Sequence, residues 1–272
     1  MGEPLLLTER VYNGAGRLKM TRDKDVRHKV NQTPDAWETP EGEKAGREQV
    51  ETAQANLAES HRTGTGDGFG PMVQRIFELP LLDDLGKALP VTARDAVSIW
   101  KDEFPTFWMK GNRFYKPFSG IKPGEVGLIK LATAGEAALV STGIYIIHSD
   151  ETSFIFRTLL GHPLSGTVAF SAQSERGLTS LRIKVRVRTS DPLYEFGRLL
   201  GVGKVEEYFW LHSIQAVGLR LGAESGMVHI SNTILEPRLI WRNFGNIRWN
   251  AGLRSATQLA LHPLRLFRQL VA

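Results

Sequence analysis

Apolar and polar positions change rhythm along this chain, and residues 127–188 carry the clearest pattern. "GLIKLAT", "STGIYIIHS", "TSFIFRTLL", "SGTVAFSAQS" and "GLTSLRIKVRVR" are short runs rich in β-branched and aromatic residues, divided by "SDE", "GHPL" and "SERG". Connections this short predict an antiparallel meander. The last run alternates: Leu181, Ile183, Val185 and Val187 fall on one side, and Arg182, Lys184, Arg186 and Arg188 on the other. One side of that strand is therefore expected dry and the other wet.

Upstream, "PMVQRIFELP" reads as an extended stretch and "LLDDLGKALP" as a short helix stopped by Pro90. Thr92 and Asp95 have capping-box spacing. They open a helix whose apolar stripe is Ala93, Ala96, Val97, Trp100 and Phe104, ended by Pro105. Asp191-Pro192 starts another helix, with Asp at the cap and Pro at the first helical position, running to about Gly201. A longer helix is predicted over residues 204–221, with Trp210, Ile214, Val217 and Leu221 on one stripe. "MVHISNTILEPRLIW" predicts one or two further strands. "NAGLRSATQLALHPLRLFRQLVA" predicts an amphipathic helix kinked at Pro263, with Leu253, Ala256, Ala260, Leu264, Phe267 and Val271 on one face. Periodicity thus predicts an α+β fold with an antiparallel sheet.

Residues 1–65 break the rhythm. They are polar and charge-mixed, with only Tyr12 and Trp37 as aromatics. Too little apolar surface is offered there to offset the entropy of ordering, so a flexible polar arm is expected, with a short helix over residues 47–58. "RTGTGDGFGP" then reads as a loose, glycine-rich boundary. The expected domains are the arm at 1–65, the α+β domain at 66–222 and a C-terminal extension at 223–272.

Composition is that of an ordinary globular protein, 42% hydrophobic and 23% charged. With no cysteine, disulfides, thiolate metal sites and cysteine nucleophiles are excluded. No signal peptide, myristoylation pattern or long apolar span is read, so a cytoplasmic location is expected. The net charge of +5 is uneven: residues 1–236 hold 28 Lys/Arg against 29 Asp/Glu, and residues 237–272 hold six Arg and no acid. The basicity belongs to the tail.

Candidate chemistry is sparse. None of the seven histidines has a His partner at i+3 or i+4, so no metal site is expected. The glycine-rich stretch lacks the Lys-Ser/Thr of a phosphate-binding loop, and no Gly-x-Ser-x-Gly elbow occurs. The basic strand face could track phosphates, though a solvated sheet face explains it as simply, and no specific nucleic-acid partner is expected. The stretch "WKDEFPTFWMKGNRFYKPF" holds seven aromatics and four Lys/Arg in nineteen positions. Helical spacing assigns its first part to the core, and Gly111-Asn112 marks a turn.

The segment "IYIIHSDETSFIFRTLLGHPLSG", with "PGEVGLI" before it and "RTSDPLYEFGRLLG" after it, resembles a family of bacterial and plant proteins of unknown function. That family is related to the START and polyketide-cyclase-like (SRPBCC-like) helix-grip superfamily, and the resemblance spans roughly residues 96–221. Thr158, Leu159, Gly161, His162, Pro163 and Gly166 keep the family's turn pattern. Phe156-Arg157, Leu160 and Thr167-Val168 depart from it. The resemblance implies a curved antiparallel sheet gripping a long helix, and a cavity for an apolar small molecule or lipid. Its expected lining is Trp108, Tyr115, Tyr145, Phe154, Phe156, Phe170 and Trp210, with His148, Arg157 and His162 as polar anchors. No catalytic group and no cofactor are implied. Two alternatives stand beside this reading: a cyclase- or hydratase-like enzyme on the same scaffold, and a structural protein meeting an anionic membrane through the basic amphipathic residues 250–272.

Overall fold

The computed structural model describes residues 5–12, 63–132, 138–224 and 227–257. The helix expected over residues 47–58, and most of the amphipathic helix and membrane anchor expected over residues 250–272, lie outside the described residues.

Among the described residues, nine strands form one antiparallel sheet: β1 (Leu5–Tyr12), β2 (Met72–Pro80), β3 (Arg113–Tyr115), β4 (Val126–Ala132), β5 (Ala138–Ser149), β6 (Ser153–Thr158), β7 (Leu164–Glu175), β8 (Leu178–Thr189) and β9 (Val228–Glu236). Their order across the sheet is β1-β9-β2-β8-β7-β6-β5-β4-β3. From β3 to β8 sequence neighbours are sheet neighbours, which is the predicted meander. The other half closes over long range: β2 pairs with β8, and β9 inserts between β2 and β1.

Two expectations change here. Residues 223–272 do not merely extend the domain, because β9 is an interior strand whose Val228 and Ile230 are buried. The expected arm also contains a strand, β1, paired with β9 from Leu5 to Tyr12.

Helix α1 (Ala93–Asp102) begins at the predicted box: Asp95 N donates to Thr92 Oγ1 at 3.1 Å, and Thr92 Oγ1 donates to Asp95 Oδ2 at 2.7 Å. Its buried residues are Ala96, Val97 and Trp100. Pro105 turns the chain into a 3-10 segment (Phe104–Phe107) that buries Phe104 and Phe107. Helix α2 (Pro192–Gly197) starts at Asp191, whose carboxylate accepts from Leu193 N and Tyr194 N at 2.8 and 3.0 Å. A π turn (Arg198–Val202) follows, kinked at Gly201 with φ of 106°, and leads into α3 (Gly203–Arg220). Helix α3 lies against β2 and β8 on the face of the sheet that also receives α1. We call that face inner.

The stretch "LLDDLGKALP" is a turn rather than a short helix. Asp83 Oδ1 accepts from Leu85 N and Lys87 N, and Gly86 takes a φ of 76°, which competes successfully with a helical turn. The glycine-rich stretch is a packed strap and not a loose boundary. Phe69 N and Gly70 N donate to Thr189 O at 2.7 and 3.2 Å, and Asn243 Nδ2 donates to Gly66 O and Gly68 O, each at 2.9 Å. A Cβ on Gly70 would stand 2.0 Å from Thr189 Oγ1, so only glycine lets the strap lie this close.

Candidate functional site

The inner face is closed by rings. Phe104 sits at the centre, with ring centroids of Trp108, Phe114, Phe154, Phe156 and Phe170 all 4.9–5.9 Å away. Trp100 of α1 meets Phe154 and Phe170, and Phe170 meets Trp210 of α3 at 5.8 Å. Phe209 joins Trp108 to Trp210. Edge-to-face contacts dominate, the arrangement aromatic quadrupoles favour. Helix and sheet therefore meet through aromatic packing over the length of this cluster.

The ten residues expected to share a cavity fall into three places. Trp108, Phe154, Phe156, Phe170 and Trp210 belong to the inner cluster. Tyr115, Tyr145, His148 and Arg157 lie on the outer face. Pairing sets Tyr145 opposite Arg157 while Ile146 pairs with the inner Phe156, and the β5 irregularity carries His148 to Ile155. The alternation of a strand separates the two groups, and no side chain of one can join the other without a register slip. His148 Nε2 contacts Asp150 Oδ2 at 2.8 Å and Ser153 Oγ at 3.2 Å, which makes it part of the β5–β6 turn. Asp150 is held well below the usual carboxylate range, chiefly by the backbone N–H of Thr152.

His162, the tenth, is buried in the β6–β7 connection. Its Nδ1 stands 3.0 Å from both Leu164 N and Leu164 O, so the backbone of Leu164 holds the ring. Burial lowers its pKa to about 4. Gly161, with φ of 90°, presses against the chain near Trp249, where a Cβ would meet Trp249 O at 2.3 Å; Gly161 O accepts from Ala251 N at 3.0 Å.

That contact belongs to a buried polar seam which fixes residues 237–257 to the body. Asn250 Nδ2 donates to Asp191 Oδ2 at 2.9 Å, Gly252 N donates to Tyr194 Oη at 3.0 Å, and Asn246 Nδ2 donates to Ser190 O at 3.0 Å. Arg188, buried although it starts on the wet side of β8, donates to Gly70 O and Arg238 O and pairs with Glu236. Thr189 Oγ1 donates to Glu195 Oε2 at 2.6 Å, and Arg198 clamps the same carboxylate. Burial raises the Asp191 carboxyl and the Tyr194 phenol above their ordinary values. Sequence reasoning found the cap at Asp191 and missed its partners, because Asn250 is 59 residues away.

What the seam holds up is an apolar surface. On α2 and the π turn, Leu193, Phe196 (59% exposed), Leu199 (68%) and Leu200 (72%) face solvent; Val205 and Tyr208 follow on α3. Against α2 packs a 3-10 segment (Trp241–Trp249) carrying exposed Trp241 (66%) and Phe244, which stack at 6.3 Å. Buried Phe69 of the glycine strap supports both rings. Arg238, Arg242, Arg248 and Arg254 stand in the same stretch, and residues 237–257 contain no acid. An apolar patch with aromatic members and a basic border is unusual for a surface meant only for water.

An open groove of about 780 Å³ lies elsewhere, on the outer face, lined by Glu78, Arg176, Arg182 and His229 together with Pro80 and Leu178. Among the described residues no group of three His, Asp or Glu side chains is placed to hold a metal ion, and no helix is long and apolar enough to cross a membrane.

Comparison with family models and with curated proteins finds no match. Among solved structures the chain is similar to protein Ms6760 from Mycobacterium smegmatis, at 12% identity and a TM-score of 0.39, over 56% of this chain and 91% of that one. It is also similar to Ara h 8.0201 (15% identity, TM-score 0.35, 56% of this chain and 99% of that one). A third is the di-domain ARO/CYC StfQ from the steffimycin biosynthetic pathway (18% identity, TM-score 0.37, 56% of this chain and 50% of that one). At this distance none carries a residue's role across to this chain.

Proposed function

We propose that this is a helix-grip protein that works at a lipid surface, docking on anionic membrane through α2, the π turn and the 3-10 segment. The observation that carries this reading is the exposed set Phe196, Leu199, Leu200, Trp241 and Phe244, beside a stretch (residues 237–257) that holds four arginines and no acid of its own. Tryptophan and phenylalanine insert at the headgroup level, and each Arg held near an anionic leaflet adds about 1 kcal/mol. In this reading the lipid is met at the surface, where these apolar side chains are exposed.

Co-sedimentation of the full chain with phosphatidylcholine vesicles, with and without phosphatidylserine, tests this. The wild type binds the anionic vesicles. Phe196→Ser with Leu200→Ser loses that binding, and Arg242→Gln with Arg248→Gln weakens it by about thirtyfold. A chain lacking residues 258–272 keeps its binding. If that deletion abolishes binding while the surface variants bind as wild type does, the contact belongs to the tail and the proposed face is wrong.

A further inference from the structure

Among the described residues, the outer face of the sheet carries a group of basic side chains with no carboxylate opposite them, which the membrane reading does not use. Arg157 on β6 is half-buried, and its Nε is shielded from solvent with no hydrogen-bond partner. The shielding applies to that nitrogen alone, and the charged fork faces no carboxylate across either neighbouring strand.

Strand register supplies the neighbours. Arg157 stands between Tyr145 on β5 and Thr167 on β7, and Thr167 in turn stands opposite Arg186 on β8. Strands lie about 4.8 Å apart, so the Arg157 and Arg186 backbones straddle Thr167 at about 10 Å, and two guanidinium arms can converge above its hydroxyl. Lys184, two residues along the same face of β8, is flanked by Ala169 and Ile76. None of these cross-strand neighbours is a carboxylate. Arg186 contacts only the neutral Gln74 Oε1, at 2.9 and 3.3 Å. The contrast on the same strand is Arg182, which is paired with Glu78. Charge on this face is thus neutralised at the Glu78 end and left open at the Arg157 end.

We infer that Arg157, Thr167, Lys184 and Arg186 form a binding site for a phosphate-type oxyanion on the outer sheet face. Two guanidinium forks, one ammonium and one hydroxyl approach from different directions. That set suits a tetrahedral anion with several acceptor oxygens better than a planar carboxylate. A phosphate oxygen seated over Thr167 accepts a hydrogen bond from its hydroxyl, and the remaining oxygens accept from the Arg157 and Arg186 guanidinium groups. The inference stands apart from the docking face, which lies on other elements.

Calorimetric titration at constant ionic strength, with inorganic phosphate and with a soluble short-chain phosphatidate, tests the site on the full chain. Saturable one-to-one binding is expected. Arg157→Gln and Thr167→Val should weaken it, the former about tenfold or more, since a hydrogen bond to a charged group is lost. Arg182→Gln should bind as the wild type does. Equal binding of both probes assigns recognition to the phosphate group itself, and binding of the phosphatidate alone assigns it to a lipid headgroup; both outcomes support the site. The site is overturned if neither probe saturates, if Arg157→Gln binds unchanged, or if Arg182→Gln weakens binding as much as Arg157→Gln does. Near-ultraviolet circular dichroism checks each variant's fold, and Lys184→Gln serves if Arg157→Gln is misfolded.

Discussion

His162 is the residue whose chemistry the fold alters most. Its pKa of about 4 in the folded chain lies below the ordinary 6.5, because burial penalises the imidazolium. Between those values the unfolded chain binds a proton that the native state refuses. Stability is therefore full above about pH 6.5 and falls as pH drops towards 4, and this one group accounts for about 3 kcal/mol of the loss. Below that range its contribution is flat. His162→Asn keeps an acceptor for Leu164 N, since Oδ1 can take the place of Nδ1, and removes the titration. Urea unfolding at a series of pH values should show a shallower decline in the variant between pH 6.5 and 4. Burial lowers the His212 pKa too, so the difference between the two proteins is the readout, not the total slope. Identical slopes would mean that His162 titrates as it does in the unfolded chain. The sequence placed this histidine correctly in a Gly-His-Pro connection. Its burial was not legible, because the cover comes from Ser190 and from the chain around Trp249.

Elements were legible where one local rule sufficed. The alternation of β8 appears in the structure as buried Leu181, Ile183, Val185 and Val187. Asp191-Pro192 opens α2, and α3 runs within a residue of its expected ends. Local rules failed where two competed. Leu81 to Pro90 has helical spacing, but Asp83 satisfies two backbone N–H groups by itself and closes a turn. Residues 241–249 have no helical stripe because their 3-10 geometry eclipses every third side chain, leaving Trp241 and Phe244 together on one side. Residue type alone groups Tyr145 and Arg157 with Phe154 and Phe156, and only register says which face each occupies. A test at this scale is the cap of α1. Thr92→Ala removes the acceptor of Asp95 N, and thermal or urea unfolding should register a loss of about 1 kcal/mol. A loss near zero would mean that packing of Trp100 alone holds the helix start.

At the scale of the whole molecule, the decisive feature is that β9 lies inside the sheet. The α+β domain expected to end at residue 222 would leave β2 as an edge, with the Met72–Glu78 row of backbone groups unpaired. It would also strip Val228 and Ile230 from a core that includes Phe77. Long-range closure of this kind is invisible to periodicity, which reads "MVHISNTILEPRLIW" as a strand without saying where it goes. The same closure carries the seam: with β9 in place, Asn243, Asn246 and Asn250 reach the glycine strap, Ser190 and Asp191, and the docking face is held beside α2. Cutting the chain after Gly222 should therefore abolish cooperative folding, whereas cutting it after Thr257 should preserve it. Size-exclusion chromatography and the sharpness of the urea transition distinguish the two. A chain of residues 1–222 that stays monomeric and unfolds in a single sharp step would mean that β2 can serve as an edge. The sheet would then be complete without its late strand, and the surface built by residues 237–257 would be an appendage, with no coupling to the stability of the body.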